Sequence, residues 1–227
     1  MSTDVDGTDK AGRRTAIVAG VLFLVTEVAA IAGAVLYRPL LGGGGAAADA
    51  GGRAVLGALC ELVLVAAVAG TGVTLFPVVK RWGEALALGY VCARLLEAAL
   101  ILLGIVAVLA LTTLRQEAPE PGAAAVDAAL VAVHDWTFLL GPNIALGVNT
   151  ALLALLMYRS RLVPRPIAVL GLIGGPLICT SAVAVMSGLY AQLSVPGSLA
   201  ALPVFAWELS LAVWLVVKGF RRTRGSD

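Results

Sequence analysis

Residues 85 to 114, ALALGYVCARLLEAALILLGIVAVLALTTL, form one unbroken apolar run that carries two charges, Arg94 and Glu97. At 1.5 Å per residue a helix of this length crosses a hydrocarbon layer of ~30 Å. A segment crossing lipid must satisfy its own backbone hydrogen bonds, so the run is predicted to be a helix. Arg94 and Glu97 are three residues apart and share a face with Tyr90, one turn earlier. That face cannot meet lipid, so other helices of the chain have to cover it.

The rest of the sequence supplies them. Mean hydropathy is +0.97 and only 13% of residues are charged, against about a quarter in soluble domains. The reading is an all-α polytopic membrane protein, a single six-helix bundle over residues 13–222 with spans at about 15–37, 54–79, 85–114, 128–158, 166–192 and 199–217. Residues 1–12 and 223–227 are polar and read as disordered cytoplasmic tails. Between spans lie GGGGAAADAGG (42–52), the basic turn KRWGE (80–84), the acidic proline-bearing QEAPEPGAAAVD (116–127), the basic YRSRLVPR (158–165) and an uncharged turn at 194–198. Span four is too long for one perpendicular helix, and Gly141-Pro142-Asn143 predicts a kink or break inside it. In span five, Pro166 suits the first helical turn, and Gly171, Gly174 and Gly175 permit close helix contact. The first span also has features of a signal peptide, with Arg13 and Arg14 before it and Ala30-Ile31-Ala32-Gly33 inside it. Glu27 and the apolar continuation to Tyr37 argue against cleavage.

Basic residues fall unevenly. Twelve (Lys10, Arg13, Arg14, Lys80, Arg81, Arg159, Arg161, Arg165, Lys218, Arg221, Arg222, Arg224) lie on the side of both termini and three (Arg38, Arg53, Arg115) on the other. This bias places both termini in the cytoplasm. A net charge of +2 gives no reason to expect nucleic acid as a partner; the partner the composition implies is the lipid bilayer. Cys60, Cys92 and Cys179 sit in apolar runs without metal-ligand spacing and read as small buried hydrophobes.

HDWTFLLGPN (134–143), MYRSRLVPRPIAVLGLIGG (157–175), WELSLAVWLVVKGF (207–220) and ARLLEAALIL (93–102) together resemble a bacterial integral-membrane family catalogued as domain of unknown function 4386. The resemblance covers most of residues 14–222 and is strongest in the last three helices. Asn143 stands where the family is glycine-rich. The resemblance implies a six-helix protein of the bacterial inner membrane, and no activity, cofactor or site residue.

Function is therefore read from the polar groups inside spans. Counted from the cytoplasmic ends, Glu27, Arg94, Glu97 and Glu208 fall roughly 13–18 Å deep and could meet near the midplane. Arg94 is expected to pair with Glu97 and with Glu27 or Glu208. Glu61, His134 and Asp135 come out nearer the outer face, with His134 at the headgroup interface. A paired cluster can serve only to hold helices in register. Three carboxylates to one guanidinium leave an acidic surplus, which is expected to be protonated or hydrated and suits a proton-coupled or small-molecule transporter. Span counting makes the two halves inverted in topology, without a visible internal repeat. An intramembrane enzyme is the third alternative and lacks a constellation. His134 and Asp135 diverge by about 100° on a helix, and no nucleophile, metal or phosphate-loop motif is present. No cofactor is implied.

Overall fold

A computed structural model describes residues 3–41, 50–116 and 122–221. The expected tail at 223–227, residues 42–49 of the glycine-rich loop and residues 117–121 of the acidic loop lie outside the described residues. Seven α-helices follow one another: α1 (Thr3–Leu41), α2 (Ala50–Val79), α3 (Glu84–Gln116), α4 (Ala123–Leu139), α5 (Leu146–Ser160), α6 (Arg165–Met186) and α7 (Val195–Val217). A 3₁₀ turn, Lys80–Trp82, leads into α3, and a π-helical turn, Leu140–Ala145, joins α4 to α5. Six stretches are long and apolar enough to cross a membrane, with α4, the π turn and α5 forming one of them. The chain is a polytopic helical membrane protein. Side chains such as Val28, Ile31, Leu96, Val106 and Ile173 are exposed in long apolar stripes, a surface that suits lipid and not water.

Packing closes the spans into a ring in which α1 touches α2 and α7, α3 touches α2, α4 and α5, and α6 lies between α5 and α7. Glycine sets the tightest contacts. A β-carbon on Gly20 would lie 2.7 Å from the Ala212 carbonyl oxygen, one on Gly174 would lie 2.8 Å from the Val204 nitrogen, and one on Gly175 would lie 2.6 Å from the Gly147 carbonyl oxygen. Two arginines fasten helix ends. Arg13 donates to the carbonyls of Leu215, Val216 and Val217 at 3.2, 2.8 and 3.2 Å, satisfying the open end of α7. Arg115 holds Asp127 through two bonds of 2.6 and 2.8 Å and donates to the Leu40 carbonyl at 2.7 Å, drawing together α3, α4 and α1.

Several helix limits differ from those expected. The backbone is helical back to Thr3, where a disordered tail was predicted. Once a span has nucleated the helix, each further residue adds a hydrogen bond at little cost. Span five ends at Met186 and not at 192, since Ser187 and the left-handed Gly188 (φ 74°) turn the chain. Span six begins at Val195, inside the predicted turn, because Ser194 caps it and Pro196 fits its first turn. The break predicted at Gly141-Pro142-Asn143 takes the form of the π turn. Cys92 is exposed and Cys60 and Cys179 are half-buried, so the cysteines are not uniformly buried. Cys92 lies two positions before Arg94, roughly 200° around α3, on the face turned to lipid.

Candidate functional site

The face predicted to need covering is covered. Arg94 is 1% exposed, and its Nη2 donates to Glu208 Oε1 of α7 at 2.6 Å and its Nη1 to Glu97 Oε2 at 3.3 Å. The guanidinium carbon stands 5.1 Å from the ring centre of Phe23 and 5.8 Å from that of Tyr90. Helices α1, α3 and α7 thus surround one cation with two carboxylates and two aromatic faces, an arrangement favourable only where water is excluded. Glu97 Oε2 also accepts from Asn149 Nδ2 at 2.8 Å, and the same amide nitrogen donates to the Ala145 carbonyl at 2.9 Å. Asn149 was not among the predicted residues. An uncharged polar side chain in an apolar span was its signal, since such a group must find a partner in lipid.

Glu27 has a different position. It is half-buried on α1, one turn beyond Phe23, with its carboxyl against that of Glu208 and within reach of the Arg94 charge. Among the described residues it has no ion-pair partner within 4.0 Å, and the guanidinium is taken by Glu97 and Glu208.

Beside the cluster lies a cavity of about 400 Å³, bounded by Glu27, Arg94, Glu97 and Glu208 at one end and by Gln192 of the α6–α7 connection and Ser198 in the first turn of α7 at the other. The remaining walls are mainly apolar. The π turn forms one of them. Pro142 has no amide hydrogen to give to the Phe138 carbonyl four residues back. Gln192 Nε2 supplies a donor to that oxygen at 3.3 Å, and Asn143 Nδ2 approaches it at 3.5 Å.

Glu61, His134 and Asp135 collect elsewhere, in a second chamber of about 570 Å³ nearer the α1–α2 and α6–α7 ends. A smaller cavity of about 260 Å³, lined by Glu61, His134, Ile101 and Pro142, lies between the two chambers and shares walls with both. His134 is buried at 8% exposure, edge-on to Tyr37 and stacked on Phe138, so its ring packs inside the bundle. Gly104 faces this helix turn, where a β-carbon would lie 3.0 Å from Thr137 Oγ1 and in ordinary contact, 3.8 Å, with the His134 ring. His134 Nδ1 and Asp135 Oδ1 approach to 3.4 Å, closer than the divergence of adjacent helical positions suggests. The Asp135 side chain is 67% exposed and free to turn back along the helix surface. The distance is at the long limit of a hydrogen bond.

A family described as Domain of unknown function (DUF4386) matches residues 18–219. No curated protein and no solved structure matches the chain.

Proposed function

Because the chain belongs to the family described as Domain of unknown function (DUF4386), which brings no activity with it, we propose a function from the cavity: small-solute binding or transport coupled to a proton on Glu27. One observation carries the reading. The cavity of about 400 Å³ reaches the Arg94 cluster and is bounded by all three of its glutamates; a purely structural network would be packed dry. Arg94, Glu97, Glu208 and Asn149 are tied together by these bonds and form the rigid part, with Arg94 Nε and Asn149 Oδ1 left without a partner among the described residues. Glu27 is the carboxyl left over, half-buried and beside a second carboxyl, and two carboxyls in contact are relieved by sharing a proton. A solute entering the cavity meets that proton next to a fixed positive charge, which is the arrangement proton-coupled transporters need.

Dicyclohexylcarbodiimide enters lipid and modifies protonated carboxyls, so in native membranes an adduct on Glu27 is expected by peptide mass spectrometry. It should disappear in Glu27→Gln and be absent from Glu97, which is held by Arg94 and Asn149. A folded protein that gives no adduct at Glu27 removes the proton from this proposal.

The cavity's open end lies opposite the basic loops, and the basic loops are proposed to face the cytoplasm of a bacterial inner membrane. In a background lacking Cys60, Cys92 and Cys179, Ala124→Cys should react with an impermeant maleimide on intact cells. Arg81→Cys should react only after lysis, and the reverse pattern inverts the assignment.

A further inference from the structure

The outer chamber is unused by the midplane cluster and has a chemistry of its own. Glu61 on α2 is 7% exposed and, among the described residues, is in no ion pair. Tyr37 on α1 is 1% exposed, and its hydroxyl faces the Glu61 carboxyl as a long-range partner, with no short hydrogen bond to another described group. The Tyr37 ring meets His134 edge-on at 5.8 Å, and His134 lies parallel to Phe138 at 6.1 Å. Trp136 and Asp135 complete the wall, and Arg38 stands exposed at the rim. The volume, about 570 Å³, is that of a small-molecule pocket.

A buried carboxyl that faces a neutral phenol and, among the described residues, has no counter-charge within 4.0 Å calls for a ligand that supplies one. The aromatic faces narrow its class. Aromatic rings around a carboxylate attract a cation whose charge is spread over carbon, because the negative ring faces replace water that such a cation holds weakly. A hard metal ion would need about six oxygen ligands, and the chamber offers few. An anion would meet two carboxyls, Glu61 and Asp135, with only the solvent-side Arg38 in its favour. We propose that this chamber binds a small alkylammonium cation, with Glu61 as the buried counter-charge, Trp136 as a ring face and Asp135 at the entrance. The cation could come from solution or from the head of a phosphatidylethanolamine or phosphatidylcholine molecule, and the ammonium chemistry is the same.

The probe is benzyltrimethylammonium, titrated calorimetrically into full-length protein in phosphatidylglycerol nanodiscs. Saturable binding is expected, with neutral benzyl alcohol failing to compete. Glu61→Gln should weaken it about tenfold or more, as expected when a desolvated ion loses its counter-charge. If Glu61→Gln does not fold, Asp135→Asn, at an exposed side chain, is expected to weaken it by a smaller factor. Repetition in phosphatidylethanolamine discs identifies the source. Weaker apparent binding there means that the lipid head competes for the chamber, and equal binding means that the cation comes from solution. Absence of saturable binding in phosphatidylglycerol discs, or binding that neither substitution changes, overturns the proposal.

Discussion

Arg94→Met is expected to cost about 3–5 kcal/mol of stability, the range for leaving a buried ion without its partner. Arg94 is 1% exposed, Glu208 5% and Glu97 4%, so both glutamates are left buried without their counter-charge once the guanidinium is gone. The loss is read as a fall in the denaturant midpoint of the purified protein in detergent. The same physics predicts a rescue. Arg94→Met combined with Glu97→Leu and Glu208→Leu removes the ions together and should recover most of the loss, because apolar packing often replaces a buried ion network at little or no cost. A single variant that loses less than ~1 kcal/mol would resemble an exposed pair and mean that the cluster is hydrated through the cavity. The triple variant also separates two uses of the cluster: a framework role survives it, whereas proton-coupled flux does not.

The second large effect is expected at the α5–α6 contact. A β-carbon on Gly175 would lie 2.6 Å from the Gly147 carbonyl oxygen and 2.9 Å from the Ala151 nitrogen, and one on Gly147 would lie 2.7 Å from the Gly175 carbonyl oxygen. These neighbours are backbone atoms, and no rotamer change moves them. Gly175→Ala should therefore push the helices apart and cost about 1–3 kcal/mol, the usual penalty for overpacking, and Gly175→Leu should not accumulate in folded form. The displacement also moves α5, which carries Asn149, away from Glu97. Carbodiimide labelling of Glu97, absent in the parent protein, should consequently appear in Gly175→Ala. A variant as stable as the parent would mean that the helices can separate without penalty.

The sequence carried much of this because lipid makes few exceptions. An arginine inside a 30-residue apolar helix has to face inward, and equal depth on different helices then limits which glutamates can reach it. Arg94, Glu97 and Glu208 were legible for that reason. Depth says nothing about rotation of one helix against another, so the choice between Glu27 and Glu208 as the bonded partner required the structure. Asn149 and Gln192 were passed over because a search for charges does not register amides, though each answers a buried acceptor. Distance from a helix end gives the depth of His134 but not its rotation, so the contacts of its ring with Tyr37 and Phe138 required the structure.

The bond from Gln192 to the Phe138 carbonyl has a thermodynamic consequence. That oxygen has lost its helical donor to Pro142, and a side chain of the α6–α7 connection supplies a substitute at 3.3 Å. Continuity of the fourth span and the position of the connection over the cavity thus share one neutral hydrogen bond. Such a bond contributes about 0.5–1.5 kcal/mol net, so for this contact the latched and unlatched populations differ only by about a factor of two to thirteen. Any ligand that offers the Phe138 oxygen a donor of its own competes with Gln192 on nearly equal terms.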